Sequence, residues 1–159
     1  MTGSSVLART TVYTDGACIG NPGKGGWAWA AGAAEYESGF DPRTTNQRME
    51  LTAVVEALRA LPGKLLVVSD STYVVNCFKQ RWYVGWLARG WRNSRGEPVA
   101  NQDLWGPLVR EVVEDRRGEV EFRWVKGHAT DPMNIFVDRL ANEAARGQVA
   151  ASRRSVPEP

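Results

Sequence analysis

The chain has 159 residues, of which 43% are hydrophobic and 24% charged, and a formal net charge of +2. This is the length of one domain, large enough to fold without disulfide staples, and its net charge by itself selects no partner. No stretch reaches the roughly 18 apolar residues a membrane helix needs, Met1 to Ser5 lacks the basic-then-apolar start of a secretory signal, and Cys18 and Cys77 match no zinc or redox spacing and read as free thiols of a reducing cytosol.

In chain order, residues 7–15 predict a strand ending at Asp15, and the glycine-dense Gly16 to Gly26, with Asn-Pro-Gly inside it, predicts a turn. Trp27 to Ala33 and Glu35 to Phe40 complete a three-stranded antiparallel meander. After Thr45-Asn46, the positions Leu51, Val54, Val55 and Leu58 form an apolar stripe of helical period, which stops at Pro62-Gly63. The run 65–69 is short, aliphatic and valine-rich, the pattern of a strand buried on both faces. A helix between two strands makes a right-handed crossover, so the strand ending at Asp70 lies parallel to the one ending at Asp15. Residues 71–90 predict helix, and Leu104, Leu108, Val109 and Val112 predict another. Val120, Phe122 and Trp124 alternate with Glu121 and Arg123 as a strand, Lys126 to Pro132 is a loop, and Asn134 to Arg146 is a last helix. The expected fold is α/β, a mixed sheet flanked by helices. Residues 6–147 form the domain, and the small polar tail 148–159 is expected to be disordered.

Asp15 and Asp70 both fall at the C-terminal ends of adjacent parallel strands, the edge where open α/β sheets bind ligands. Glu50 lies in the first turn of the crossover helix and Asp138 in the first turns of the last. Each acid alone is an ordinary turn, cap or helix-dipole residue. Together they are a repulsive cluster whose pKa values should rise unless a divalent cation reverses that logic. Carboxylate and water oxygens suit Mg²⁺ or Mn²⁺ rather than zinc. Two such ions stabilise both the attacking and the leaving oxygen of a phosphoryl displacement.

The words around these acids are specific. Thr14-Asp15-Gly16-Ala17-Cys18 with Gly20-Asn21-Pro22-Gly23, then Thr44 to Leu51, then Ser69-Asp70-Ser71, then Trp124-Val125-Lys126-Gly127-His128 with Asn134 and Asp138, resemble the four ordered motifs of type 1 ribonuclease H. The resemblance implies a ribonuclease H fold with a five-stranded sheet of order 3-2-1-4-5. It implies two Mg²⁺ ions (Mn²⁺ as substitute) held by Asp15, Glu50, Asp70 and Asp138. The implied reaction is endonucleolytic cleavage of the RNA strand of an RNA–DNA hybrid, leaving 3′-hydroxyl and 5′-phosphate ends, as in removal of RNA primers and R-loops. His128, the only histidine, is implied to stand beside the scissile phosphate, where a pKa near 6.5 suits proton transfer or product release. A cytoplasmic monomer with no membrane partner is expected.

Asn21, Asn46 and Gln47 flank the acids and are implied to contact the hydroxyls and base edges of the hybrid's minor groove, with Asn134 as a further contact and Thr45 as either a helix cap or a DNA-phosphate contact. Residues 79–95 hold Lys79, Arg81, Arg89, Arg92 and Arg95 and no acid, interleaved with Trp82, Tyr83, Trp86 and Trp91. The aromatics read mostly as packing, since 82 and 86 share a helical face, with Trp82 and Trp91 also candidate substrate contacts beside Lys79, Arg89 and Arg92, and the bases read as a phosphate-binding rim. This segment resembles the family's basic handle. The chain departs from the family pattern at Leu87-Ala88, where lysines are usual, at Thr72, where glutamine is common, and at Ile135-Phe136, where a polar pair is usual. Three other readings are a DNA-cutting recombinase of the same fold, a non-catalytic hybrid-binding module, and an acidic surface patch on a structural protein.

Overall fold

The computed structural model describes residues 9–127 and 130–154. Strands β1 (Thr10–Ile19), β2 (Gly23–Ala30) and β3 (Tyr36–Thr44) form the antiparallel meander. Helix α1 (Asn46–Ala60) crosses to β4 (Leu65–Ser69), which pairs parallel to β1 from Thr10↔Leu65 to Tyr13↔Val68. Helices α2 (Thr72–Lys79), α3 (Trp82–Ala88) and α4 (Gln102–Arg110) follow. A π-helical turn (Glu111–Asp115) leads to β5 (Val120–Trp124), parallel to β4, and then to α5 (Pro132–Gly147).

The sheet has six strands in the order β5-β4-β1-β2-β3-β6. The expected five-stranded order runs from the β5 edge to β3, and one strand is added beyond β3. The sixth, β6 (Ala151–Arg153), pairs antiparallel with Tyr36–Ser38 of β3, which corrects the expectation of a disordered tail at these residues. All three β6 side chains are exposed, so no hydrophobic alternation advertised the strand. Arg154 pins it instead, facing the Glu35 carboxylate at 3.3 Å, lying over the Trp29 ring and donating to the Ala60 carbonyl.

Two more expectations need correction. β1 does not end at Asp15 but runs on to Ile19, and β2 begins at Gly23, so the turn shrinks to Gly20–Pro22, with a cis Asn21–Pro22 peptide. Most glycines of this stretch serve close packing, not turning. A Cβ on Gly16 would strike the α1 backbone at Met49 and Glu50, and one on Gly26 the α5 backbone at Ala141 and Ala145. The predicted helix over 71–90 is in fact two, broken where Arg81 adopts a left-handed conformation (φ 58°). The break lets Trp86 meet both Trp91 and Trp105, at ring separations of 5.9 and 5.4 Å.

Alternation on the central strands sorts the core into two faces. Val12, Trp29 and Val67 pack with Leu51, Val54 and Leu58 of α1 and with α2 and α4. Burial of each such side chain contributes about 2 kcal/mol. The opposite face is built from small residues: Ala17, Ala28 and Ala30 lie under Val137, Leu140, Ala141 and Ala145 of α5. Helix α5 therefore rides close to the sheet, above the stretch of β1 that carries Asp15.

Candidate active site

Asp15, Glu50 and Asp70 each offer a carboxylate oxygen within 4.8 Å of the others. Three different elements bring them there. Asp15 sits mid-strand on β1, paired with Ala28, and is only 3% exposed. Its Oδ1 accepts the Gly16 N–H at 2.9 Å. The absence of a side chain at Gly16 lets the first turn of α1 press onto β1 and sets Glu50 beside Asp15. Two bonds fix that turn: Thr45 Oγ1 accepts the Arg48 N–H at 3.2 Å, and Asn21 Oδ1 accepts the Asn46 N–H at 3.0 Å. Arg48 also ties α1 to α4 through a bidentate pair with Asp103. Asp70 follows the end of β4 and precedes Ser71, whose hydroxyl caps α2 by accepting the Val74 N–H.

Asp138, half-buried on α5, joins the same open pocket of about 460 Å³, whose lining includes Asn46, Gln47, Thr72 and Gly127. Its carboxylate is held by Asn142 Nδ2 at 3.3 Å. Tyr13 ties α5 to β1 at the helix start. Its hydroxyl donates to Asp131 Oδ2 at 2.8 Å, while Asp131 Oδ1 accepts the Met133 N–H at 3.0 Å as the cap of α5.

The electrostatics follow from burial and like charge. Desolvation, then the Asp70 carboxylate, push Asp15 from 3.8 to about 8. Glu50 is raised well above its ordinary value, first by burial and then by Asp15 and Asp70. Glu50 Oε1 is buried without a hydrogen-bond partner. A buried carboxylate oxygen without a donor is costly, and an all-oxygen donor set of this kind fits a hard divalent cation. A larger groove of about 560 Å³ at the base of the handle lacks this convergence. There, Glu111 faces Arg116 and Asp115 faces Arg110.

The remaining sequence-predicted residues divide. Asn21, Asn46 and Gln47 are exposed, on the rim of the pocket or beside it. Asn134 is 2% exposed, in the first turn of α5. It is not a surface contact in this structure, because the N-terminus of α5 packs it inward. Lys79, Arg89 and Arg92 are exposed, and Trp82 and Trp91 are half-buried against the aromatic core. Arg89 Nε donates to the Arg92 carbonyl, and an Arg92 guanidinium N–H to the Gly96 carbonyl, so the handle's cations brace its own loop with part of their donor set. Phe136 packs edge-on to Tyr36 at 5.4 Å, while Ile135 is half-exposed. His128 lies outside the described residues. Sequence reasoning missed Tyr13, Arg48, Asp131 and Trp124. Arg48 and Trp124 stand inside the quoted motifs without a role assigned to them, and Asp131 left its own signal, an Asp immediately before a Pro at a helix start.

The parallel strands β1 and β4 thus bring Asp15 and Asp70, and helices α1 and α5 bring Glu50 and Asp138, to one open pocket at a mixed sheet of ribonuclease H-like architecture. The ribonuclease H family profile matches residues 8–146, and the chain belongs to that family. The ribonuclease H of Granulibacter bethesdensis is 50% identical over 138 residues, 84% of this chain and 89% of that protein. The ribonuclease H of Symbiobacterium thermophilum is 50% identical over 143 residues, 87% of this chain and 95% of that protein. Among solved structures, LC9-RNase H1, described as a type 1 RNase H with the type 2 active-site motif, superposes with a TM-score of 0.73 at 32% identity. The match covers 94% of this chain and 79% of that one.

Proposed function

We propose that this chain cleaves the RNA strand of RNA–DNA hybrids at the cluster of Asp15, Glu50, Asp70 and Asp138, with two Mg²⁺ ions held by those carboxylates and Mn²⁺ as a substitute. The observation that carries the reading is the buried, unpartnered Oε1 of Glu50 beside Asp15 and Asp70. When bound, the cations stabilise the attacking and leaving oxygens of an in-line displacement. Asp15, on the central strand between the other acids, would be the ligand shared by the two ions. Asp70 and Asp138 face it from β4 and α5, and Glu50 approaches from α1. A metal-activated water makes a separate nucleophilic side chain unnecessary: water would attack phosphorus and the 3′ oxygen leave, giving 3′-hydroxyl and 5′-phosphate ends. His128 is assigned proton transfer or product release at the scissile phosphate.

Selectivity for the hybrid rests on Asn21, Asn46 and Gln47, whose exposed amides can meet 2′-hydroxyls and base edges in a wide minor groove. Asn21 has a second duty, since its Oδ1 already holds the start of α1. Thr45 Oγ1 caps α1 by accepting the Arg48 N–H, which leaves its O–H able to donate to a DNA phosphate. Asn134, with a buried Oδ1 that has no hydrogen-bond partner among the described residues, is kept as a further candidate substrate contact. The handle supplies phosphate contacts through Lys79, Arg89 and Arg92. Primer and R-loop removal by a cytoplasmic monomer is the setting this chemistry suits. No described helix is long and apolar enough to cross a membrane.

The direct test is cleavage of an end-labelled RNA–DNA hybrid with Mg²⁺ and with EDTA, beside Asp70→Asn and matched RNA–RNA and DNA–DNA duplexes. Mg²⁺-dependent cutting of the hybrid's RNA strand alone, lost in the variant, is the expected result. Tight binding without cutting would instead favour a binding module, and cutting of DNA–DNA the recombinase side of the fold. A second expectation concerns salt. Replacing both Arg89 and Arg92 with Ala should lower the slope of log affinity against log salt by roughly one to two, because each phosphate that the handle no longer neutralises keeps about one counterion. An unchanged slope in a fluorescence binding titration would remove the handle from the phosphate interface.

A further inference from the structure

Trp124 is the last residue of β5, on the same strand face as Phe122. Phe122 enters the core at 4% exposure, stacked on Phe78 at 4.3 Å. Trp124 does not follow it: the ring is 47% exposed and belongs to neither apolar cluster. A tryptophan placed for core packing would be far more buried. What Trp124 does make is one directed contact. Its indole N–H donates to the backbone carbonyl of Asp70 at 3.1 Å.

That carbonyl lies at a joint. β4 ends at Ser69 and the cap of α2 is Ser71, so Asp70 is the single residue between strand and helix cap. The neighbouring segment grips this joint from the β5 side at three successive levels. The Val125 N–H donates to the Ser69 carbonyl at 3.0 Å, Trp124 holds the Asp70 carbonyl, and Gly127 lies against the Asp70 carboxylate, where an added Cβ would sit 3.1 Å from Oδ2. The first contact continues the sheet ladder and the third only leaves space. The indole bond reaches the Asp70–Ser71 peptide from the β5 side, through its carbonyl, while the Ser71 N–H of the same peptide donates to Ser69 Oγ at 3.0 Å, and rotation of that peptide would swing the carboxylate relative to Asp15 and Glu50.

We propose that Trp124 is a positioning residue for Asp70, and that its indole N–H sets how tightly the carboxylate cluster holds a divalent cation. The inference rests on the metal-site reading above. Outer-shell partners of metal ligands commonly govern affinity by about ten- to a hundredfold. A bond to the ligand's backbone rather than to its carboxylate belongs at the lower end of that range.

The test uses the full chain with Trp124→Phe, and Asp70→Asn as the metal-site control. Mn²⁺ affinity is measured by titration calorimetry on the free protein, and hybrid cleavage is measured across a Mg²⁺ series. Trp124→Phe is expected to weaken Mn²⁺ binding by about tenfold and to raise the half-saturating Mg²⁺ concentration similarly. KM for the hybrid should be unchanged, and kcat should recover to within about twofold of wild type at saturating metal. A general loss of packing would instead lower the metal-free melting temperature without moving metal affinity, and that result overturns the proposal. A raised KM that added metal does not repair also overturns it, because Trp124 would then be touching the duplex. Incorporating benzothienylalanine at position 124 keeps the bicyclic ring and removes only the N–H. This variant must reproduce the Trp124→Phe affinity loss, and wild-type affinity in it would sink the idea even if Trp124→Phe misfolds. Failure of the underlying reading has a separate signature: wild type and Asp70→Asn would show equal Mn²⁺ binding.

Discussion

Asp15→Asn should raise the melting temperature of the metal-free protein at pH 7 while lowering hybrid cleavage on the order of a thousandfold. Asp15 titrates near 3.8 in an unfolded chain and near about 8 in the folded one, displaced by burial and then by Asp70. Between those values the folded protein retains a proton that the unfolded chain has released. Stability from this group is therefore complete below about pH 4 and is lost as pH rises through about 8. Asn mimics the protonated form at every pH, keeps an oxygen for the Gly16 N–H, and removes the penalty. The gain at neutral pH should be about 2 kcal/mol, roughly 4–8 °C for a chain of this size. Saturating Mg²⁺ should reverse the order, because deprotonated carboxylates bind the cation and wild type then gains stability that the variant does not. Differential scanning calorimetry at pH 5, 7 and 9, with EDTA and with Mg²⁺, checks the whole pattern. A metal-free melting temperature below wild type at pH 7 would show that repulsion is not what governs this cluster.

The acids themselves were legible because topology could place them. A valine-rich run after an amphipathic helix fixes a parallel crossover, and that puts Asp15 and Asp70 side by side. Glu50 and Asp138 were legible only as acids near helix starts, expected in the first turn and the first turns respectively. The structure puts both beyond the first turn, since α1 begins at Asn46 and α5 at Pro132, and their direction toward the sheet depends on how those helices pack. The handle's composition was readable, but not the break at Arg81, since a left-handed residue leaves no periodic trace. β6 was invisible for a related reason: its three side chains bury nothing, and its stability comes from backbone pairing and from Arg154 reaching Trp29 and Ala60. The burial of Asn134 was equally hidden. The last helix was expected to start at Asn134, but α5 begins two residues earlier, at Pro132, and Asn134 is 2% exposed in its first turn.

The glycines between residues 16 and 26 carry the instructive error, because glycine marks either a turn or a close approach and local sequence does not say which. Gly26 decides the matter for α5. Along the α5 face of β2, Gly26 continues the series of small residues formed by Ala28 and Ala30. Opposite them the helix offers Ala141, Ala144 and Ala145. A Cβ at position 26 would meet the Ala141 carbonyl oxygen and the Ala145 amide nitrogen, both backbone atoms that no side-chain rotation can clear. Gly26→Ala must therefore push α5 off the sheet or bend β2. Overpacking against backbone should cost about 3 kcal/mol. That destabilisation should appear in urea unfolding as a lower midpoint with an unchanged slope. Asp138 rides on the same helix, so displacement also moves it relative to Asp15, and cleavage should fall by about tenfold or more even where the variant is fully folded. Gly32→Ala is the control. It lies in an open turn with nothing near its Cβ, and its positive φ makes the change a backbone cost alone, so stability should drop modestly with cleavage preserved. Equal loss of cleavage in both variants would break the proposed link between sheet–helix spacing and the geometry of the acids.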